Sequence, residues 1–292
     1  MELLDDARND IFILPDSKAA PGLTLGLSCR RSGLFIVSPE ERIDIRWGAP
    51  SQIRAELKLF ETVLARGADY DYVHLLSGVD LPLKTQDEIH AFFDAAPPGS
   101  NFIEIDSEGE NPNLTNKTRY YHLFLEHQRA AGPGIINKGR LLFARAARKG
   151  WVGVQKIFGL KRRWSGLKLA RGLNWASLSP DFIRYLVENR DYILKRFRGV
   201  VCSDEVYKQT MIINSEFDST VRAYSRGNSD GIRLLDWKRG NVKAGNPYVW
   251  RMADRRELEE AFELFARKFS SSEDPEIIDT IRGSLLKETP SE

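Results

Sequence analysis

The chain of 292 residues is long enough for one large domain or two small ones, and its 42% hydrophobic and 29% charged residues are those of a soluble globular protein. No apolar run approaches the roughly 18 residues that span a bilayer, and Met1-Glu-Leu-Leu-Asp-Asp carries acids where a signal peptide carries bases, so a cytoplasmic location is expected. Two cysteines, Cys29 and Cys202, and four scattered histidines indicate neither a disulfide framework nor a zinc site.

The net charge of +2 is unevenly spread: Gln128 to Arg171 holds about a dozen Lys and Arg and no acid, which leaves the remainder net acidic by about ten charges.

In chain order, Asn9-Asp-Ile-Phe-Ile13 reads as a strand that ends in Leu14-Pro15-Asp16, and Leu34 to Val37 reads as another. Asp16 is a carboxylate at a strand end, with a plain turn as the alternative reading. Ile43 to Gly48 alternates apolar and polar at period two. Ser51 is expected to cap a helix from about Gln52 to Arg66, whose Ile53, Leu57, Phe60 and Leu64 share one face.

Tyr70 to Leu76 reads as a buried strand that stops at Ser77-Gly78. Asp80 follows, and Pro82 is expected to prevent any return to the ladder. In open α/β sheets ligands bind beyond the carboxyl ends of strands, which singles out Ser77, Gly78 and Asp80, with a strand end and an Asp-containing turn as the plain alternative. Thr85 is read as the cap of a helix through Phe93, and Asn101 to Asp106 as a further strand.

The basic segment from about 128 to 171 interleaves Leu141, Leu142, Phe143, Trp151, Ile157 and Trp164 with its cations. Such a stretch suits an anionic membrane surface, an acidic substrate or nucleic acid, with solvated helices as the plain alternative. It lacks a repeating aromatic or Gly-rich motif, so no nucleic acid partner is expected.

Ser179-Pro180-Asp181 opens a helix that buries Phe182 and Leu186. Val200 to Cys202 leads into Asp204 and Glu205, acids whose plain reading is helix capping. Leu234 to Trp237 reads as a late strand. A helix from about Glu257 is expected to carry Arg267 and Lys268 at its C-terminus, and one more helix lies in the tail after Glu273. Alternating strands and helices imply an α/β fold with a mixed, largely parallel sheet.

The ordered blocks Arg8-Asn-Asp-Ile-Phe-Ile, Ile45-Arg-Trp-Gly48, His74-Leu-Leu-Ser-Gly-Val-Asp-Leu-Pro-Leu83, Asn174-Trp-Ala-Ser-Leu-Ser179, Asp204-Glu205, Asp236-Trp237 and Leu264-Phe-Ala-Arg-Lys-Phe269 resemble the core-2/I-branching N-acetylglucosaminyltransferase and peptide O-xylosyltransferase family, in its bacterial form. They run from about Leu3 to Phe269. The resemblance implies a GT-A fold over 1–269, with 270–292 a C-terminal helix and tail. It also implies inverting transfer from a UDP-sugar (GlcNAc or xylose) to a glycan or protein hydroxyl, without a metal.

By the same resemblance, Glu205 is the catalytic base and Asp204 its neighbour. Asp16 contacts uridine, and Ser77, Gly78 and Asp80 lie near the donor. Arg251 and Lys268 neutralise the diphosphate, while Trp47 and Trp175 lie on the acceptor side, a packed core tryptophan being the alternative for Trp175. The chain departs from the family at Leu14, where a His is usual, and in having no counterpart to the family's strand and helix upstream of Leu3; the expected reading is a start codon placed too late, with a strand supplied by a partner or damaged donor binding as the alternatives. The alternative from another class is a non-catalytic protein of this fold that binds carbohydrate or a membrane surface.

Overall fold

The computed structural model describes residues 1–20, 22–24, 26–108, 112–129, 134–222, 232–241 and 245–287. Strands β1 (Asp10–Ile13) and β2 (Gly33–Ile36) open the fold, followed by α1 (Ser51–Ala65), β3 (Val73–His74), β4 (Asp80–Pro82) and α2 (Gln86–Asp94). Next come β5 (Ser107–Glu108), α3 (Pro112–Thr118), the long α4 (Ile135–Ile157), β6 (Ala170–Arg171) and β7 (Ser177–Leu178). The C-terminal half holds α5 (Pro180–Glu188), α6 (Arg190–Arg196), α7 (Tyr207–Ile213), β8 (Arg233–Leu235), α8 (Arg255–Glu259), β9 (Phe265–Arg267) and α9 (Pro275–Lys287).

The architecture is mixed α/β, but among the described residues its strands form short sheets in which parallel pairing is not dominant. β1 with β2 and β8 with β9 are parallel, whereas β3 with β7, β4 with β9 and β5 with β6 are antiparallel. The expectation of a largely parallel sheet is corrected accordingly.

The periodic apolar face of α1 behaves as its spacing requires. Ile53, Leu57 and Phe60 are fully buried against Phe182, Leu186 and Ile193 of α5 and α6 and against Tyr207 and Met211 of α7. Each such side chain contributes about 1.5–3 kcal/mol by leaving water. A second cluster joins Leu83, Trp250, Ala266 and Phe269 to Ile277 and Ile281 of α9, so the C-terminal helix is packed into the body of the fold.

Local chemistry explains several helix starts. Thr85 and Glu88 form a reciprocal capping box at α2, and the Ser179 hydroxyl accepts from Phe182 N–H at 3.3 Å with Pro180 at the first helical position. Ser51 does not cap α1. It is the first helical residue, and its Oγ instead accepts the Arg46 N–H at 2.8 Å, fastening the preceding loop to the helix.

Three other expectations are corrected. The alternating stretch Ile43 to Gly48 forms no strand; it is a loop held by its neighbours. Pro82 does not close the ladder: Asp80 to Pro82 pair antiparallel with Arg267 to Phe265, and β4 is an edge strand, where a proline costs no central hydrogen bond. The block Leu264 to Phe269 does not end a helix. It forms β9, the central strand between β4 and β8, so Arg267 and Lys268 stand at a strand end.

One polar contact inside the core ties α1 to α7. Lys208, fully buried, pairs with the buried Glu56 of α1, whose carboxylate also accepts from Tyr207 Oη at 2.8 Å. The ammonium further donates to Asn174 Oδ1 and to the Asp204 carbonyl at 3.3 Å. Removing one member of such a pair leaves a buried charge uncompensated. Lys208→Met is expected to cost about 3–5 kcal/mol in urea unfolding. Glu56→Gln with Lys208→Met should recover part of that loss, and a double variant no better than the single one would contradict pairing as the source.

Candidate active site

Motifs far apart in the chain meet around a one-turn 3-10 helix, Ser203–Glu205. Asp204 and Glu205 both lie in the first turn of that short helix, where acids favour its dipole, but neither caps a helix through its side chain. Gly48 is the junction. Its carbonyl accepts from Cys202 N–H at 3.0 Å and from Gln128 Nε2 at 2.7 Å, and its own N–H donates to Gln52 Oε1. Gln52 in turn donates through Nε2 to Asp204 Oδ2 at 3.0 Å. Gly48 has φ +68°, a left-handed conformation that favours glycine, and a Cβ there would lie 2.5 Å from Gln128 Nε2. The Trp-Gly pair of the second sequence block is thus bound directly to the acidic turn.

A second close approach supports the same turn from behind. The Gly172 N–H donates to the Glu205 carbonyl at 3.1 Å, and a Cβ on Gly172 would fall 1.8 Å from the Glu104 carbonyl oxygen. Glycine at 172 lets three backbone segments lie in contact.

The Glu205 carboxylate is half-buried and cationic groups converge on one of its oxygens. Oε2 accepts from Lys117 Nζ at 2.5 Å and from Arg171 Nε and Nη2 at 3.2 and 3.0 Å. Among the described residues no side chain or backbone group donates to Oε1. The arrangement can hold an ionised carboxylate in place while one oxygen remains available to a hydroxyl. Arg171 is itself held by Asp106.

Asp204 differs from its neighbour. It is buried, its Oδ1 has no hydrogen-bond partner among the described residues, and burial pushes its carboxyl up to about 7. The charges of Glu205 and Glu56 add to the shift and Lys208 opposes it.

The strand-end residues Ser77 and Asp80 meet β9. Asp80 Oδ2 accepts from Ser77 N–H at 2.8 Å, and Oδ1 accepts from Ser77 Oγ at 3.0 Å and from Arg267 Nη1 at 2.7 Å. The Arg267 guanidinium also lies over the indole of Trp175, 4.4 Å from the ring centre. A chain of contacts therefore runs from Ser77 and Asp80 through Arg267 to Trp175, whose neighbour Asn174 is held by Lys208 beside the acidic turn. Gly78 faces open space, so nothing in the fold itself requires a glycine there.

The remaining predicted site residues fall in three places. Lys268 is half-buried next to Arg267, and the backbone bond from Trp250 N–H to the Lys268 carbonyl at 3.0 Å sets Arg251 at the same strand end. The Arg251 side chain pairs with Glu273 at 2.8 Å. Trp47 is half-exposed beneath the Arg129 guanidinium, 4.0 Å from its ring centre. Asp16 lies on the loop after β1 and is paired with Lys18, which also pairs with Asp44. Among the described residues no hydrogen bond or ion pair joins Asp16 to the cluster around Glu205 or Asp80.

A cavity of about 280 Å3, lined by Asp10, Phe12, Tyr70, His74 and Phe93 of the β1 and β3 region, contains none of these site residues. The sequence reading missed three residues that shape the site: Lys117, Arg171 and Arg267. Arg267 stands inside a recognisable block next to Lys268, but nothing in the local sequence marks Lys117 or Arg171 as partners of Glu205.

The family model for the core-2/I-branching enzyme matches residues 27–260, and the chain belongs to that family. It is 28% identical over 254 residues to the β-glucuronosyltransferase GlcAT14A of Arabidopsis thaliana, covering 84% of this chain and 49% of the relative. It is 24% identical over 246 residues to the xylosyltransferase oxt of Drosophila melanogaster, covering 78% of this chain and 25% of that protein. The chain thus spans about half the length of the plant relative it matches and a quarter of the fly one.

The raised Asp204 carboxyl has a consequence for stability. Between about pH 4 and 7 the folded chain holds a proton that the unfolded chain releases, so this group's contribution is present at low pH and lost as pH rises through that window. Wild type should lose about 1–3 kcal/mol more than Asp204→Asn between pH 5 and 8, read from urea midpoints. Parallel pH profiles for the two proteins would show that Asp204 is ionised throughout.

Proposed function

We propose that this protein is an inverting glycosyltransferase that uses a UDP-sugar and passes the sugar to a hydroxyl of a glycan or protein acceptor, without a metal ion. The observation that carries the reading is the convergence of the family's blocks on Glu205, a carboxylate with one oxygen gripped by Lys117 and Arg171 and the other open. A single in-line displacement needs one base on the face away from the leaving group, and Glu205 is the candidate. The two cations orient it and keep its charge compensated before the acceptor arrives.

The donor side is proposed at the ends of β3 and β9. Asp80 is already neutralised by Arg267, in keeping with a diphosphate site built on cations. Lys268 and Arg251, at the end of β9 and the segment paired with it, are proposed to offset the charge of the departing UDP. Ser77 and Gly78 line the approach to the sugar, and Asp16 is proposed to reach uridine after leaving Lys18. On the acceptor side, Trp47 and Trp175 offer aromatic faces to a sugar ring.

The named relatives transfer glucuronic acid and xylose, which widens the proposed donor set to UDP-glucuronic acid beside UDP-xylose and UDP-GlcNAc. UDP release measured with each of the three in the presence of a chelator is expected to persist with one of them. Strict dependence on added divalent metal would remove the metal-free mechanism, and absence of UDP binding would favour a non-catalytic role.

Glu205→Gln should bind UDP as wild type does and turn over a hundred- to ten-thousandfold more slowly. Normal turnover by a folded Glu205→Gln protein would transfer the role of base to another group.

A further inference from the structure

Helix α4 turns the wrong face outward for a helix of a free-standing globular protein. Its buried side chains are Ala144 and Gln155, which mark the side packed on the body. Gln155 fixes the rotation: its Oε1 accepts from Tyr121 N–H at 3.0 Å and its Nε2 donates to the Tyr121 carbonyl at 2.9 Å. Arg148 adds a second clamp, donating from Nε to the Leu123 carbonyl at 3.1 Å and from Nη2 to the Phe124 carbonyl at 3.0 Å.

With that side pinned, the apolar stripe faces solvent. Ile135 is 89% exposed, Ile136 73%, Leu142 65%, Phe143 66% and Ile157 80%. At 100° per residue these side chains share one face, and Gly139, Ala146, Gly150 and Gly153 fill the rest of it. No charged residue interrupts the face. Along one border lie Lys138, Arg145, Lys149 and Lys156, all exposed, with Arg140 near the opposite border.

The charge on these borders selects the occupant. No Asp or Glu occurs from His127 to Pro180, so whatever covers the apolar face must meet a rim of cations alone. A second copy of the same helix would set cations against cations. An anionic lipid surface matches both features, accepting the apolar stripe among its acyl chains and the ammonium groups at its phosphates. Among the described residues no helix is long and apolar enough to cross a membrane, and α4, about 35 Å long, has the proportions of a helix lying in the surface plane.

We infer that α4 docks the protein on the surface of an anionic phospholipid membrane, its Ile135, Leu142, Phe143 and Ile157 face inserted and its lysines at the headgroups. The mode of docking bears on the site, because the segment that Arg148 clamps leads through Gln128 to Gly48, the junction behind Asp204 and Glu205. The acceptor side is thereby held near the lipid surface; this last point alone rests on the transferase reading.

The test is flotation of the full chain with vesicles of phosphatidylcholine containing about 30 mol % phosphatidylglycerol, against vesicles of phosphatidylcholine only. The wild-type protein should partition at least about tenfold more strongly to the anionic vesicles. The exposed pair L142E/F143E should reduce that partition by about tenfold, with at most a small shift of the unfolding midpoint from the lost contact between the Phe124 and Phe143 rings, and K138E/K149E/K156E should remove the preference for anionic lipid.

Failure of wild type to float, or equal partition of wild type and L142E/F143E, would overturn the inference. So would a dimer in vesicle-free sedimentation that L142E/F143E converts to monomer, which would assign the face to a second copy. Vesicle binding needs no nucleotide and UDP binding needs no vesicles, so the two proposals fail separately.

Discussion

The buried pairing of Glu56 with Lys208 is the constraint on which the arrangement of this protein depends. A lysine with no exposed surface cannot remain charged in an apolar core without a carboxylate and further acceptors, and Lys208 has Glu56, Asn174 and the Asp204 carbonyl. These partners come from α1, from the segment between β6 and β7, and from the acidic turn. Satisfying one ammonium group therefore brings three remote pieces of chain to a common point. The site is assembled on the surface just beyond it.

The acidic turn owes its two carboxylates' different characters to that geometry. Asp204 points toward the core, where burial and the neighbouring negative charges favour its protonated form. Glu205 points outward to Lys117 and Arg171, with an oxygen left open. Adjacent residues of the same type thus reach opposite electrostatic environments because one backbone turn faces two media. The same logic operates at Asp80, whose charge is balanced by Arg267, and Arg267 in turn covers the face of Trp175. Much of the site is built from charge pairs whose members lie more than fifty residues apart.

Local patterns were legible wherever a short-range physical rule governs. The face of α1, the Thr85 capping box, the Ser179-Pro180 helix start and the strands at Asp10 and Gly33 follow from periodicity and capping chemistry. The readings that failed depend on partners elsewhere in the chain. Ile43 to Gly48 has a strand's alternation but no strand to pair with, and Leu264 to Phe269 continues a helical pattern yet is claimed by β4 and β8 on either side. Pro82 sits in a ladder because its strand lies at the edge, which no local signal announces.

What the sequence determined by itself is the family, the order of its blocks, the acidic pair at Asp204 and Glu205, and the basic, acid-free character of the segment around α4. These properties are carried by residue identity and short spacing, which survive without coordinates. Only the tertiary structure decided which oxygen of Glu205 is open, that Arg267 balances Asp80, and that the apolar stripe of α4 faces outward. Each of those depends on contacts between residues distant in the chain, and the rotation of a helix about its axis is set by what holds its inner side, here Gln155 and Ala144, rather than by its own pattern.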